Sequence, residues 1–148
     1  MNCNLCGRKC NIDRDKQSGF CNSSNALKVS RAALHFYEEP CISGKTGSGT
    51  VFFSNCNLKC VFCQNYETST NGIGKKITEE RLSEIFIELQ KQGANNINLV
   101  TPTHYVLQII EAIKIARQKG LIIPIVYNTN SYETVETIKL LNKYISNM

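Results

Sequence analysis

The residues of this chain best suited to chemistry are three closely spaced cysteines. Cys56, Cys60 and Cys63 follow a short apolar segment with the spacing C-x3-C-x2-C. A [4Fe–4S] cluster held entirely by protein needs four thiolates, and a tetrahedral structural zinc site also takes four ligands. No histidine stands near enough in the sequence to be an obvious fourth ligand. The set of three therefore predicts a cluster with one iron open to chemistry, with a structural metal or a coincidence of spacing as the alternatives.

The cysteine run and several segments around it resemble the radical S-adenosylmethionine (SAM) enzymes. Phe62, just before the last cysteine, is part of that resemblance. Other segments are similar to the branch of pyruvate formate-lyase activating enzyme-like proteins, namely 38–44, 49–54, 63–66, 96–104 and 123–129. The resemblance covers nearly all of the chain but only about the first half of the usual length of the family.

The resemblance implies a mechanism as well as a cofactor pair. The cysteines would hold a [4Fe–4S] cluster whose unligated iron binds the amino and carboxylate groups of SAM. A one-electron donor such as flavodoxin or ferredoxin would reduce the cluster. Reductive cleavage would then give methionine and a 5′-deoxyadenosyl radical that abstracts a hydrogen atom. Activating enzymes of this oxidoreductase type take that hydrogen from a backbone glycine of a partner enzyme, so a protein substrate is an expected partner.

The resemblance also indicates residues that would contact SAM. Phe62 is expected beside the cluster and the adenine, with a core aromatic as the alternative, and Gln64 follows in the same segment. Thr101, Pro102 and Thr103 occupy the place where many radical SAM proteins carry a Gly-Gly-Glu type motif. The carboxylate of that motif is missing here, although threonine hydroxyls and free carbonyls can still accept hydrogen bonds from an ammonium group.

A further pair, Asn128 and Thr129, matches a strand-end position that lies near the ribose or methionine of SAM in related activases. The alternative is that both are turn residues at the entry to a helix. His104 is a candidate for contacting substrate or SAM, with a solvated surface position as the alternative, whereas His35 is expected to be structural. No residue is assigned a direct catalytic role.

A second cysteine set precedes these motifs in a polar leader. Cys3, Cys6, Cys10 and Cys21 have the spacing C-x2-C-x3-C-x10-C. Four thiolates suffice for a closed zinc site or for an auxiliary iron–sulfur cluster, and unmetallated thiols are the third alternative. Cys41 is left over and is expected to be a small buried hydrophobe.

Composition limits the class of protein without naming a function. The chain has 148 residues with 42% hydrophobic content, and its net charge of +5 is spread along the sequence. The scattered charge argues against a nucleic-acid partner. The polar start and the lack of a long apolar run predict no signal peptide and no membrane span. Clustered cysteines in such a chain are typical of metal ligands in a reducing cytoplasm.

The pattern beyond the leader alternates between strands and helices. Thr78, Thr103 and Ser131 are expected to cap three helices, because each precedes a run of apolar residues at helical spacing. This alternation predicts an α/β fold with a parallel sheet. The resemblance implies the first half of a radical SAM partial (β/α)6 TIM-like barrel, with a leader at 1–40 and a core at 41–148. Extended segments are expected at 27–34, 50–54, 96–100 and 121–127.

Three β/α units would leave an uncovered parallel edge. The chain is therefore interpreted as the N-terminal portion of a longer unit, which is expected to bind a cluster yet turn over poorly. The competing hypotheses are a non-catalytic iron–sulfur or zinc module that carries electrons or docks a partner, and an inactive fragment.

Overall fold

Five strands form one mixed sheet in the computed structural model, which describes residues 2–146. The order across the sheet is β3-β1-β2-β4-β5, and β2, β4 and β5 run parallel to one another. The predicted α/β fold is thereby confirmed, together with its three parallel strands. The strands are β1 (Lys28–His35), β2 (Ser48–Phe53), β3 (Lys75–Lys76), β4 (Ile97–Val100) and β5 (Ile125–Asn128).

The first strand runs antiparallel to its neighbours. β1 pairs with β2 from Val29 opposite Phe53 to His35 opposite Ser48, and its other edge pairs with the short β3. The sequence predicts an extended segment here but not its direction. Since β1 forms one sheet with β2, residues 28–35 are part of the same folded unit as the parallel strands.

In the part of the chain that the structure describes, five α-helices connect and cover the strands. They are α1 (Pro40–Ser43), α2 (Tyr66–Ser69), α3 (Glu79–Lys91), α4 (Val106–Gln118) and α5 (Val135–Leu141), and a 3-10 turn at Thr103–Tyr105 precedes α4. The longest, α3 and α4, have 13 residues each. About 20 residues are needed to span a bilayer, and none of the helices within residues 2–146 could cross one.

Two of the three predicted helix caps are wrong. Thr78 does cap α3, because its hydroxyl accepts the Arg81 N–H at 3.2 Å. Thr103 caps nothing, since its hydroxyl donates to Glu133 instead, and α4 begins only at Val106. The last helix is capped by Thr134 rather than Ser131, three residues later than predicted, and the Thr134 hydroxyl accepts the Thr137 N–H.

The core lies between one face of the sheet and the helices α3 and α4. Alternate residues of the strands face it, including Val51, Leu99 and Tyr127, all fully buried. The other face carries the register partners Thr50 and Asn98 at its centre. This second face is more polar than the core face at its centre.

Candidate functional site

Three cysteines line one cavity of about 140 Å³ at the carboxyl end of β2. Cys56, Cys60 and Cys63 share it with Thr101, which directly follows β4, and with Asn130, two residues beyond β5. The cavity therefore lies where all three parallel strands end. In open parallel sheets this edge is the usual place for ligand binding.

The cysteine loop leaves β2 through a sharp local turn. Asn55 has a φ of +72° and Lys59 a φ of +56°. Asparagine tolerates the left-handed region better than most residues, and the Asn55 N–H donates to the Thr68 carbonyl at 2.8 Å. The Cys63 N–H donates to the Cys60 carbonyl at 3.2 Å. These contacts turn the loop back towards the sheet, so that all three cysteines border the same cavity.

Two of the three sulfurs receive hydrogen bonds. The Leu58 N–H donates to Cys56 Sγ at 3.4 Å, and the Ser69 hydroxyl donates to Cys63 Sγ at 3.3 Å. The Asn130 amide adds a longer contact to Cys56 Sγ at 3.9 Å. Such bonds stabilise thiolates and tune the reduction potential of iron–sulfur clusters.

The donor set fits a cluster that leaves one iron open. Cysteine thiolates are soft ligands of the kind that iron–sulfur clusters require. Cys56 is buried while Cys60 and Cys63 are half-buried, so the sulfurs border both protein and cavity. Within the described residues, no three cysteine, histidine or acidic side chains already stand at metal-ligand geometry. Binding would thus require the cysteine side chains to rotate towards the cavity.

Sequence comparison assigns the family. Residues 50–148 match the sequence model of the Radical SAM superfamily, which amounts to 99 of the 148 residues. The chain belongs to the radical SAM superfamily. Members of this superfamily in general use a [4Fe–4S] cluster and SAM, and the cysteine cavity lies inside the matched segment.

The comparison also finds a relative. This radical SAM chain is 33% identical over 149 aligned residues to an uncharacterized protein of Methanocaldococcus jannaschii. The alignment covers 95% of the chain and 42% of that protein, so the chain spans about two fifths of the length of its relative. No solved structure matches the chain.

The three residues after β4 differ in their access to the cavity. Thr101 lines it, with a φ of +53° that turns the backbone away from the strand. Pro102 and Thr103 are buried behind it. Of this predicted SAM-contacting group in the radical SAM chain, only Thr101 reaches the cavity beside the cysteines.

A carboxylate that the sequence analysis missed organises the ends of β4 and β5. Glu133 accepts hydrogen bonds from the hydroxyls of Thr103 at 2.6 Å, Tyr127 at 3.1 Å and Thr129 at 2.7 Å. Burial raises the pKa of Tyr127, which therefore remains a donor. Thr129 is thus engaged with Glu133, while Asn128 is exposed at the strand end.

Two further side-chain amides lie close to this part of the sheet. Asn130 lines the cavity, and its amide nitrogen donates to Asn57 Oδ1 at 2.6 Å. Asn98 lies on the same sheet face as Thr50, fully buried, and neither of its side-chain polar atoms has a partner within residues 2–146. A polar residue at the centre of a short buried strand was the available signal for Asn98.

Phe62 and Gln64 both lie on the outside of the cysteine loop. Phe62 is 87% exposed, which excludes the alternative of a core aromatic, and Gln64 is also exposed. Neither lines the cysteine cavity. Val61 is 95% exposed as well, so the loop presents two adjacent apolar side chains to solvent.

His104 is buried and not a surface residue. Its Nε2–H donates to the Ser54 carbonyl at 2.8 Å, and the ring lies 4.3 Å from that of Tyr105, centroid to centroid. Burial lowers the pKa of His104 to about 4, so the ring is neutral at physiological pH. His104 does not line the cysteine cavity beside β2. His35 lies 3.4 Å from the Glu38 carboxylate, and both side chains are partly buried.

The leader cysteines line a second, smaller cavity. Cys3, Cys6, Cys10 and Cys21 border a space of about 20 Å³. Burial raises the pKa of the Cys6 thiol. Cys41, predicted to be buried, is exposed and borders neither cysteine cavity.

Backbone and side-chain contacts hold the leader against the core. Cys6 forms an isolated antiparallel bridge with Glu133, and the Gly7 N–H donates to the Tyr132 carbonyl at 2.9 Å. Arg8 Nε donates to the Asn57 carbonyl at 3.0 Å. Because Asn57 directly follows Cys56, the leader touches the loop that carries the first cysteine set.

Proposed function

We propose that this chain binds a [4Fe–4S] cluster through Cys56, Cys60 and Cys63, with SAM in the adjoining cavity, and cleaves SAM reductively. When bound, a cluster reduced by an external one-electron donor would supply the electron that splits the sulfonium of SAM into methionine and a 5′-deoxyadenosyl radical for hydrogen abstraction. The observation that carries this proposal is that the C-x3-C-x2-C cysteines share one cavity with the residues after β4 and β5. Membership of the radical SAM superfamily supports the same chemistry.

The chain itself contributes donors to the sulfurs and a polar wall. The Leu58 N–H and the Ser69 hydroxyl stabilise negative charge on two of the thiolates. Thr101 and Asn130 line the same cavity, and their hydroxyl and amide groups are of the kind that can hydrogen-bond the amino and carboxylate groups of SAM.

The other residues predicted to contact SAM do not line the cysteine cavity. Phe62 and Gln64 would need the cysteine loop to fold inward, since both are exposed. Pro102, Thr103 and Thr129 would act behind the cavity wall, and the hydrogen bonds of both threonines to Glu133 support that positioning role.

The finer assignment is to the pyruvate formate-lyase activating enzyme-like branch. In this proposal β2, β4 and β5 are the first strands of a partial (β/α)6 barrel. The cysteine-rich leader then ends before β1, because β1 already pairs with β2 in the core sheet. The partners would be a flavodoxin or ferredoxin and a protein that carries a reactive glycine. The exposed pair Val61 and Phe62 beside the cysteines supports a protein docking surface there.

Electron paramagnetic resonance tests the proposal. The whole chain is reconstituted anaerobically with iron and sulfide, reduced with dithionite and measured with and without SAM. We expect a [4Fe–4S]+ signal that changes shape with SAM, disappears in Cys60→Ala and persists in the matched control Cys41→Ala.

The contrary outcomes separate the alternatives. A cluster signal that is indifferent to SAM would favour an electron carrier or a docking module over an enzyme. The absence of any cluster in reconstituted protein that holds zinc alone would refute the proposal.

A further inference from the structure

A buried arginine in the leader has no anionic partner within residues 2–146. Arg14 is only 4% exposed, and its guanidinium donates to three neutral carbonyls, those of Ser23, Ser24 and His104. The ion pairs found within residues 2–146 involve other cations. A buried charge is costly unless an opposite charge lies nearby. A negative group close to Arg14 would therefore lower the cost of burying its charge.

The four leader cysteines border the same cavity as Arg14. As thiols they are neutral, but four thiolates around a divalent ion carry a net charge of −2. Arg8 and Lys9 also border this cavity. The positive charges thus surround the place where such a dianionic site would form.

The size of the cavity indicates what it can hold. Its volume of about 20 Å³ is room for roughly one water-sized particle. The cavity beside Cys56, Cys60 and Cys63 is about 140 Å³, seven times larger. A single metal ion fits the smaller space, whereas the four irons and four sulfides of a cubane do not.

A buried amide supports the same conclusion. Asn57 is 1% exposed and borders the leader cavity, and its Nδ2 has no hydrogen-bond partner within residues 2–146. An unsatisfied buried N–H donor costs about 1–3 kcal/mol. A thiolate sulfur would accept from it.

We infer that Cys3, Cys6, Cys10 and Cys21 bind one zinc ion as a closed four-thiolate site beside Arg14. Zinc in structural sites takes four tetrahedral ligands of this kind. The four thiols lose their protons to solvent as the ion binds. The sulfurs line the cavity without yet meeting ligand geometry, so binding rotates the cysteine side chains inward. The bound ion would fix the leader against Asn57 and hence against the loop of the larger cavity.

Metal analysis of the whole chain tests this inference independently of the proposed function. Cys56, Cys60 and Cys63 are replaced together by serine, so that any remaining metal reports the leader alone. We expect one zinc and no iron per chain after anaerobic purification. Adding Cys21→Ser should abolish the zinc, and adding the matched control Cys41→Ser should leave it unchanged.

Several results would overturn the inference. Stoichiometric iron with a [4Fe–4S]+ signal in the triple variant would assign a cluster to the leader. Retention of zinc after Cys21→Ser, or after the same change at any other leader cysteine, would refute the four-thiolate set. Should these variants fail to fold, titration of the wild-type chain with Zn2+ against a chromophoric chelator decides, since less than one tight equivalent refutes the site.

Replacement of Arg14 tests whether its charge stabilises the zinc site. Arg14→Gln should weaken Zn2+ binding roughly tenfold, equivalent to about 1.4 kcal/mol, because it removes the buried positive charge beside the dianionic site. Arg31→Gln changes an exposed arginine on β1 and is the control. Equal affinities of the two variants, both correctly folded, would show that Arg14 does not balance the charge of the site.

Discussion

His104 makes the stability of this fold depend on pH. In the unfolded chain the pKa of a histidine is about 6.5, whereas burial lowers that of His104 to about 4 in the folded chain. The unfolded state therefore binds the proton more readily. The contribution of the neutral ring is complete above pH 6.5 and is lost as the pH falls from 6.5 towards 4. At 1.36 kcal/mol per pKa unit the loss amounts to about 3 kcal/mol.

The measurement is urea unfolding of wild-type protein and His104→Gln between pH 8 and pH 4. Glutamine keeps a neutral donor for the Ser54 carbonyl but has no imidazole to protonate. The free energy of unfolding of wild type, taken relative to the variant, should fall by about 3 kcal/mol across this range. Comparing the two proteins cancels the acid effects that they share.

His35→Gln replaces the other, partly buried histidine and should keep the pH dependence that His104 produces, since His104 is untouched. If wild type and His104→Gln lose stability in parallel as the pH falls, then His104 is not held neutral by burial and the reasoning is wrong.

Three further predictions concern single contacts. Glu133→Gln should lower the free energy of unfolding by about 2 kcal/mol, because three hydroxyl bonds to a carboxylate become weaker neutral bonds. The control is Glu39→Gln, which changes an exposed glutamate. Equal urea midpoints for the two variants would contradict the prediction. Thr78→Ala should cost about 1 kcal/mol through the lost cap of α3, measured in the same way, and an unchanged midpoint would refute it. Ser69→Ala removes the hydroxyl bond to Cys63 Sγ, so the reduction potential of the reconstituted cluster should become more negative. The control Thr78→Ala should leave that potential unchanged. Equal potentials in wild type and Ser69→Ala would show that this hydrogen bond does not tune the cluster.

Local signals in the sequence predict the elements whose structure is determined locally. Helix α3 follows from Thr78 and the apolar spacing of Leu82, Phe86 and Leu89, all buried as that spacing predicts. The parallel strands follow from short apolar runs that alternate with helices. In these cases the nearest neighbours in sequence supply both the hydrogen bonds and the buried surface.

Long-range partners explain where sequence reasoning fails. Thr103 is a good cap by composition, but Glu133, thirty residues away, takes its hydroxyl. The predicted strand 121–127 shortens because the Leu121 N–H still completes the end of α4 by donating to the Ala116 carbonyl. The direction of β1 was not predictable either, since a short apolar run is equally compatible with both directions.

The candidate site was predictable only in part for the same reason. The spacing of Cys56, Cys60 and Cys63 is visible in the sequence, whereas the roles of Glu133 and Asn130 depend on three strands ending together. The sequence also does not show which side chains are exposed, because Phe62 is exposed and His104 is buried. Aromatic rings are usually buried and loop histidines are often solvated, and here the opposite holds.

The contacts that dock the leader also set an order of events during synthesis. Cys6 and Gly7 pair with backbone around residues 132 and 133, so their partners are translated some 125 residues later. At about 5–20 residues per second this interval is roughly 6–25 s. Throughout that time the leader thiols are on the nascent chain without the surface that covers them. The leader thiols therefore stay accessible to oxidants and to metal ions until the segment after β5 has left the ribosome.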